Sequence, residues 1–229
     1  MPITIPLHAS ESTPATAAAD VVDSLRLVQL VAYLQSDLYT RGLAAAGFIP
    51  AADVTVFTTL SQQEAQHIAT LTTLIIARLG APVVRPTFDF TGKGAVPGFA
   101  FAPGQYETFR MLTQAFEDLG VRAYKGQLQA LQTDKQALTY LLAMQSVEGR
   151  HAAEVRRVRG KKGWITGNSA DDLPPFAQAI YAGEEVTTQG TVNVATAIAS
   201  TGGATAASQA FDEPLATAQV TAIITPFIM

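Results

Sequence analysis

The amino-acid sequence predicts an all-α protein: a four-helix bundle with a long crossover between its second and third helices and an irregular C-terminal extension. Two observations lead to this prediction. Four segments carry apolar residues at helical spacing, and short links join the first two and the last two of them. A stretch rich in proline and glycine separates the two pairs, which is the order of a bundle with one long connection.

Caps and breakers delimit the first two helices. The first is expected to begin at Asp20 or Asp23, either of which could cap it, and to end at Gly47 and Pro50. Its apolar stripe consists of Leu27, Leu30, Val31, Leu34, Leu38 and Leu43. The second helix is expected over 51–79, where a Gly-Ala-Pro sequence stops it.

The crossover and the second helix pair follow. Residues 81–103 contain four prolines, three glycines and four phenylalanines, and that many aromatic residues indicate a packed connection. The third helix is expected over 104–132 and the fourth over 135–159, with Asp134 as a cap between them.

The chain is therefore expected to have three parts. An extended N-terminal arm covers 1–19, the bundle covers 20–160, and the C-terminal extension covers 161–229. The extension contains a short helical candidate at 176–182 and ends in an apolar run. We expect it to pack on the bundle or on a neighbouring subunit.

Composition narrows the functional classes. Charged residues make up 15% of the chain, against a usual share of about 25%. A sparsely charged surface favours self-assembly into a homo-oligomer, although an alanine- and threonine-rich monomer has a similar composition. The net charge of −4 argues against nucleic-acid binding. With no cysteine, disulfides, cysteine-ligated clusters and thiol catalysis are excluded.

Targeting signals are not evident in the sequence. The first twenty residues contain no lysine or arginine and no apolar core of signal-peptide length. No segment approaches the ~18 apolar residues of a membrane span. The default expectation is a cytoplasmic protein, and an exported form stays open.

Two of the three histidines follow a glutamate by three residues, in Glu64–His67 and Glu148–His151. Residues at this spacing lie on one face of a helix, so each pair could grip one metal ion. The pairs fall on the second and fourth predicted helices. The alternative is a polar core layer in which glutamate and histidine only satisfy each other.

The two helix pairs also match as an internal repeat. The matched residues are Ala32, Tyr39, Glu64 and His67 in the first half, and Glu117, Tyr124, Glu148 and His151 in the second. A two-metal carboxylate bundle takes one further glutamate from each of its other two helices. Glu117 fits one of these positions, whereas the repeat places Ala32 at the other. Both tyrosines are expected as core aromatics whose hydroxyls bond to site carboxylates.

The chain resembles the ferritin-like superfamily, and within it the proteins related to desiccation-associated proteins. The segments that carry the resemblance are Val31–Tyr39, Glu64–His67, Arg85–Phe90, Glu117–Tyr124, Glu148–His151 and Phe211–Leu215. The resemblance implies a metal site, holding iron or manganese, formed by Glu64, His67, Glu117, Glu148 and His151. It assigns no ligand to Ala32, which argues against full occupancy.

The missing carboxylate leaves three outcomes open. Two divalent ions would leave about one uncompensated positive charge in the core, which is costly. A single ion could bind, or water, hydroxide, Gln29 or Gln35 could fill the gap, or the site could hold no metal.

Two functions are considered: the missing carboxylate favours the first, and the presence of five of the six expected ligands favours the second. The first is a self-assembling ferritin-like stress or structural protein with an incomplete metal site, for which a non-enzymatic role is favoured and enzymatic activity stays open. The alternative is a di-iron or di-manganese oxidase or peroxide-consuming enzyme.

Overall fold

The protein is a bundle of four long helices with smaller elements packed on it. The structure, a computed structural model, describes residues 14–229. The long helices are α1 (Pro14–Ala44), α2 (Ala51–Ile76), α3 (Tyr106–Gln127) and α4 (Lys135–Val158). The contacts are most extensive between α1 and α2, between α3 and α4, and between α1 and α3. The predicted all-α four-helix bundle, with a long crossover between its second and third helices, is confirmed.

Helix α1 begins at Pro14, six residues before Asp20, the earlier of the two predicted starts at Asp20 and Asp23. Residues 14–19 are therefore helical and not part of an extended arm, while residues 1–13 lie outside the described part of the chain. Proline is well suited to the first helical position, and the alanines that follow it have the highest helix propensity. The proline and alanine content of this segment predicts an extended arm, whereas in the structure the same residues form the first turns of α1.

The other long helices end earlier than predicted. Helix α2 stops at Ile76 and α3 at Gln127, because the residues after each of them form hydrogen-bonded turns. Asp134 caps α4 as predicted: its side chain accepts a hydrogen bond from the amide of Ala137. These shifts lie outside the middle of the bundle, where the site residues sit.

The crossover between α2 and α3 packs against the bundle. Phe88, Phe90 and Phe99 are buried in the main core. The Phe90 ring contacts Phe116 of α3 at a centroid distance of 6.3 Å, and the guanidinium of Arg41 lies over Phe90. The predicted packed connection is thus observed, and these aromatic contacts tie it to α1 and α3.

Residues 161–229 also pack on the bundle. They contain a short hairpin of β1 (Thr188–Gln189) and β2 (Val192–Asn193), and four short helices. These helices are α5 (Gln178–Tyr181), α6 (Val194–Ala197), α7 (Gly203–Ala210) and α8 (Thr217–Ile224). Helix α8 contacts α3 and α1, and Phe227 packs on Phe116. The extension therefore covers one side of its own bundle.

A buried arginine of α3 fixes the extension. Arg122 is 1% exposed, and its guanidinium donates hydrogen bonds to the carbonyls of Ile180, Ala182 and Glu213. It also forms an ion pair with buried Glu184, at 2.7 Å between Nε and Oε1. A buried guanidinium needs such partners, so these contacts join two separate parts of the extension to α3.

Within the described residues, no helix combines the length and the apolar character that a membrane crossing requires.

Asp134 offers a test of how the second helix pair is anchored. Besides capping α4, its carboxylate accepts two hydrogen bonds from Arg78, at 2.5 and 2.7 Å. Asp134→Ala loses the cap and the ion pair and is expected to lower the free energy of unfolding by about 1–2 kcal/mol. Asp134→Asn keeps a capping side chain and is expected to lose less. Denaturant unfolding at pH 7 measures both.

The same pair gives a pH dependence. The hydrogen bonds from Arg78 lower the pKa of Asp134 in the folded protein. Its stabilising contribution is therefore present above the ordinary aspartate pKa of about 3.9 and is lost as the pH falls through the lower, folded value. The stability gap between the wild type and Asp134→Asn should close on acidification. A gap of constant size down to pH 2 would contradict this role for the charge.

Candidate metal centre

Five buried side chains from three helices meet in the middle of the bundle. Helix α2 supplies Glu64 and His67, and α4 supplies Glu148 and His151. Helix α3 supplies Glu117. The i, i+3 spacing places each glutamate and its histidine on the inner face of one helix, as predicted. All three glutamates are 0% exposed, so their carboxylates are removed from water.

The two histidines face the carboxylates through their Nδ1 atoms. Nδ1 of His67 lies 3.3 Å from Oε1 of Glu64 and 3.0 Å from Oε1 of Glu148. Nδ1 of His151 lies 3.0 Å from Oε1 of Glu64 and 3.5 Å from Oε2 of Glu117. Glu64 thus sits between the histidines, and the structure brings all five predicted residues together.

These short distances do not correspond to hydrogen bonds of normal geometry. Six atoms of the cluster have no hydrogen-bond partner among the described residues. They are Oε1 and Oε2 of Glu64, Oε2 of Glu117, Oε1 of Glu148, and Nδ1 of His67 and of His151. Unpaired buried polar atoms are costly, and a cation placed among them satisfies several at once. The residues therefore fit a metal ion.

Four of the residues are arranged closely enough for one ion. Glu64, Glu117, Glu148 and His151 each offer a ligand atom, and these atoms all lie within 4.8 Å of one another. Oxygen and nitrogen ligands lie about 2.0–2.2 Å from a transition metal such as zinc, so opposite ligands of one ion are about 4–4.4 Å apart. The cluster needs only a small contraction to bind a single ion.

Neighbouring side chains hold the outer atoms of the cluster. The hydroxyl of Tyr39 donates a hydrogen bond to Oε1 of Glu117. Nε2 of His151 lies 2.6 Å from Oε1 of Gln63, which fixes the ring orientation. The Tyr39 contact was predicted. Tyr124 differs: its buried hydroxyl has no partner in the part of the chain that the structure describes.

The position of the missing carboxylate is filled by apolar packing. Ala32 is 0% exposed and belongs to a core cluster with Val28, Leu71 and Tyr124. Of the two glutamines considered as substitutes, Gln29 bonds elsewhere, to Thr72 and to the amide of Val83. Gln35 does reach the site, where its Nε2 donates to Oε2 of Glu148 at 2.9 Å.

Gln63 and Gly120 belong to the site but were not identified from the sequence. Gln63 is an exposed residue next to Glu64, and nothing in the sequence pattern marks it. Gly120 lies one turn beyond Glu117 on the same face, where a Cβ would come within 2.3 Å of Oε2 of Glu148. A glycine inside a helix is unfavourable unless space demands it, and this was the available signal.

Burial and mutual charge shape the protonation of the cluster. Burial raises the pKa of Glu117 to about 8 and also raises that of Glu148. Burial alone would lower the histidine pKa values, but the adjacent carboxylates outweigh it, raising that of His67 to about 10 and that of His151 to about 11. Without a cation, the cluster therefore retains protons to limit its negative charge. A metal ion can replace them.

Comparison with known proteins identifies the fold family. A model of the ferritin-like domain matches residues 20–161, which include all four long helices from Asp20 onward. The chain belongs to the ferritin-like domain family. No curated protein matches the sequence. The ferritin-like part of the sequence-based resemblance is thus confirmed, and the match covers every residue of the candidate site.

Gly120→Ala tests the tight packing above Glu148. The new Cβ would meet Oε2 of Glu148 at 2.3 Å and Nε2 of Gln35 at 2.7 Å, so both side chains must move. We expect a loss of about 1–3 kcal/mol in the free energy of unfolding, measured with a chelator present.

The matched control is Gly149→Ala in α4, since nothing lies within 4 Å of a Cβ at that position. Replacing an unconstrained helical glycine by alanine stabilises a helix by about 0.5–1 kcal/mol. Similar unfolding energies for the two variants would show that Gly120 is not required by close packing.

Proposed function

We propose that this protein is a ferritin-like, self-assembling protein with a stress-related or structural role, and that it binds iron or manganese in its core. The ligands would be Glu64, His67, Glu117, Glu148 and His151. The observation that carries the metal-binding part of the proposal is the convergence of six buried ligand atoms without hydrogen-bond partners among the described residues. A link to the desiccation-associated proteins, based on Arg85–Phe90 and Phe211–Leu215, is part of this proposal.

The donor set supports the choice of metal. Three carboxylates and two imidazoles, with no sulfur ligand, suit iron and manganese. Both ions favour more than four ligands, which carboxylate oxygens can supply. The protein's part is to hold these ligands: Tyr39 restrains Glu117, and Gln63 restrains His151.

The alternative function is an oxidase or peroxide-consuming enzyme. When bound, iron or manganese supplies one-electron redox chemistry with oxygen or peroxide. The convergence of five potential ligands around a buried centre favours this alternative. The apolar packing around Ala32 favours the non-enzymatic role, because it removes the fourth carboxylate of a full two-metal site.

Metal binding can be tested on protein purified without chelator. We expect iron or manganese in elemental analysis and a rise in Tm when Mn²⁺ is added, since an ion that binds only the folded state stabilises it. The double variant Glu64→Gln/His151→Gln should lose both effects because it removes two central ligands. Absence of metal in the wild type, together with an unchanged Tm at millimolar Mn²⁺, would refute the proposed binding.

The two functions differ in turnover. For the non-enzymatic role, we expect no catalytic consumption of oxygen or peroxide by the metal-loaded protein, measured with an oxygen electrode and a peroxide assay. Repeated turnover that disappears in the Glu64→Gln/His151→Gln variant would instead support the oxidase or peroxide-consuming enzyme.

Exposed apolar side chains support self-assembly. Near the end of α2, Ile76 is 56% exposed and Leu79 is 98% exposed, and Val84 follows at 88%. Monomeric proteins do expose single apolar residues, but a group this close in the chain suggests a contact surface.

We expect native mass spectrometry and light scattering to show an oligomer that dissociates in Ile76→Asp/Leu79→Asp. Val54→Asp is the matched control, because Val54 is an exposed apolar residue at the opposite end of α2. A monomeric wild type would contradict self-assembly. Equal dissociation of the control and the double variant would show that this surface is not the contact.

A further inference from the structure

Gln35 and Gly120 occupy matched positions of the internal repeat. Each lies three residues after the residue at the carboxylate position, Gln35 after Ala32 on α1 and Gly120 after Glu117 on α3. Helix α1 thus has a small residue followed by an amide, and α3 has a carboxylate followed by glycine. Helices α1 and α3 pack against each other, and the amide of Gln35 on α1 lies in the space that a side chain at position 120 of α3 would occupy.

The orientation of the Gln35 amide is fixed. Its Nε2 lies 2.9 Å from Oε2 of Glu148 and 3.2 Å from the carbonyl oxygen of Phe116. A carbonyl oxygen can only accept a hydrogen bond, so the amide nitrogen, which donates, must face this side. Gln35 is 1% exposed and Glu148 is 0% exposed, so water does not compete for this contact.

Gly120 makes the contact sterically feasible. A Cβ there would lie 2.7 Å from Nε2 of Gln35 as well as 2.3 Å from Oε2 of Glu148. The glutamine amide and the glutamate carboxylate therefore occupy the space that any larger residue would fill. Gln35, Gly120 and Glu148 form one packed unit.

Because of this contact, the two oxygens of Glu148 have different surroundings. Oε2 is held by Gln35, while Oε1 has no hydrogen-bond partner among the described residues and faces Nδ1 of His67. The oxygens of Glu117 differ in the same way: Oε1 accepts a hydrogen bond from Tyr39, and Oε2 faces the cluster. Each of these carboxylates offers one oxygen to a cation, which suits one ion better than two.

The charges lead to the same conclusion. The cluster contains three carboxylates, and the amide of Gln35 adds no charge. Two divalent ions would exceed the carboxylate charge by one, whereas a single divalent or trivalent ion would not. An excess positive charge in a buried site is unfavourable. The four ligand atoms within 4.8 Å of one another are also close to the spacing around a single ion, which a small contraction would reach.

We propose that Gln35, which packs against Gly120, limits this centre to one metal ion, because its hydrogen bond keeps Oε2 of Glu148 from binding a second ion. Gln35 thereby acts as a positioning residue that sets the number of ions. This inference rests on the proposed metal binding and adds to it the stoichiometry and the residue that determines it.

The test counts ions per chain. Wild-type protein is loaded with excess Mn²⁺ under anaerobic conditions, freed of unbound ion, and measured by elemental analysis and native mass spectrometry. We expect one ion per chain, with the electron paramagnetic resonance spectrum of an isolated Mn²⁺ ion. Two coupled ions per chain would overturn the inference and leave the proposed metal binding intact. No ion at all would refute the proposed metal binding and the inference with it.

The variant Ala32→Glu/Gln35→Ala tests the assigned cause. It supplies the fourth carboxylate and releases Oε2 of Glu148, so two ions per chain and a spin-coupled spectrum are expected. Gln29→Ala is the control, because Gln29 is a buried glutamine of the same helix whose bonds go to Thr72 and Val83. It should keep one ion.

Circular dichroism shows whether each variant folds. A folded Ala32→Glu/Gln35→Ala variant that still binds one ion would overturn the role of Gln35. If that variant does not fold, Gln35→Leu keeps the side-chain size and removes the amide. In that variant, we expect a second, weaker Mn²⁺ to bind in calorimetry, and a single-site isotherm identical to that of the wild type would overturn the proposal.

Discussion

The burial of three carboxylates and two imidazoles between the helices is the constraint on which the rest of the structure depends. Charged groups are tolerated in a core only when they are paired or bound to a cation. Tyr39 holds one oxygen of Glu117 and Gln35 holds one oxygen of Glu148. The other carboxylate oxygens lie beside the histidine rings without a hydrogen-bond partner among the described residues, and a cation would satisfy them. The helices must therefore keep their register, because a shift by one residue would point a carboxylate towards apolar side chains.

Much of this arrangement follows from sequence spacing. The three-residue step in Glu64–His67 and Glu148–His151 fixes which helix face they share. The repeat identifies Glu117 as the carboxylate of the third helix, and Tyr39 is expected to bond to a site carboxylate. The helix boundaries were less predictable. Pro14 can end a segment or open a helix, and only the surrounding structure decides between the two.

The remaining features depend on contacts between residues far apart in the chain. Gln35 and Gly120 are 85 positions apart. The sequence offers Gln35 only as one of several groups that could fill the gap at Ala32, and its contact with Glu148 beside Gly120 is visible only in the fold. Gln63 is similar: it is an ordinary exposed glutamine except for its contact with His151. Two carbonyl partners of Arg122, those of Ala182 and Glu213, lie in irregular segments of the extension, and sequence periodicity carries no information about such segments.

The Arg122 contacts have a consequence for the order of events during synthesis. Helix α3 carries Glu117 and Gly120 and also Arg122, whose carbonyl partners include Glu213, nearly a hundred residues later. Until that segment has left the ribosome, the guanidinium lacks the Glu213 carbonyl as an acceptor, and burying it with an unsatisfied donor is unfavourable. We therefore expect the nascent bundle to remain loosely packed around α3 until the extension has been translated. Pulse proteolysis of stalled chains of increasing length would show this delay.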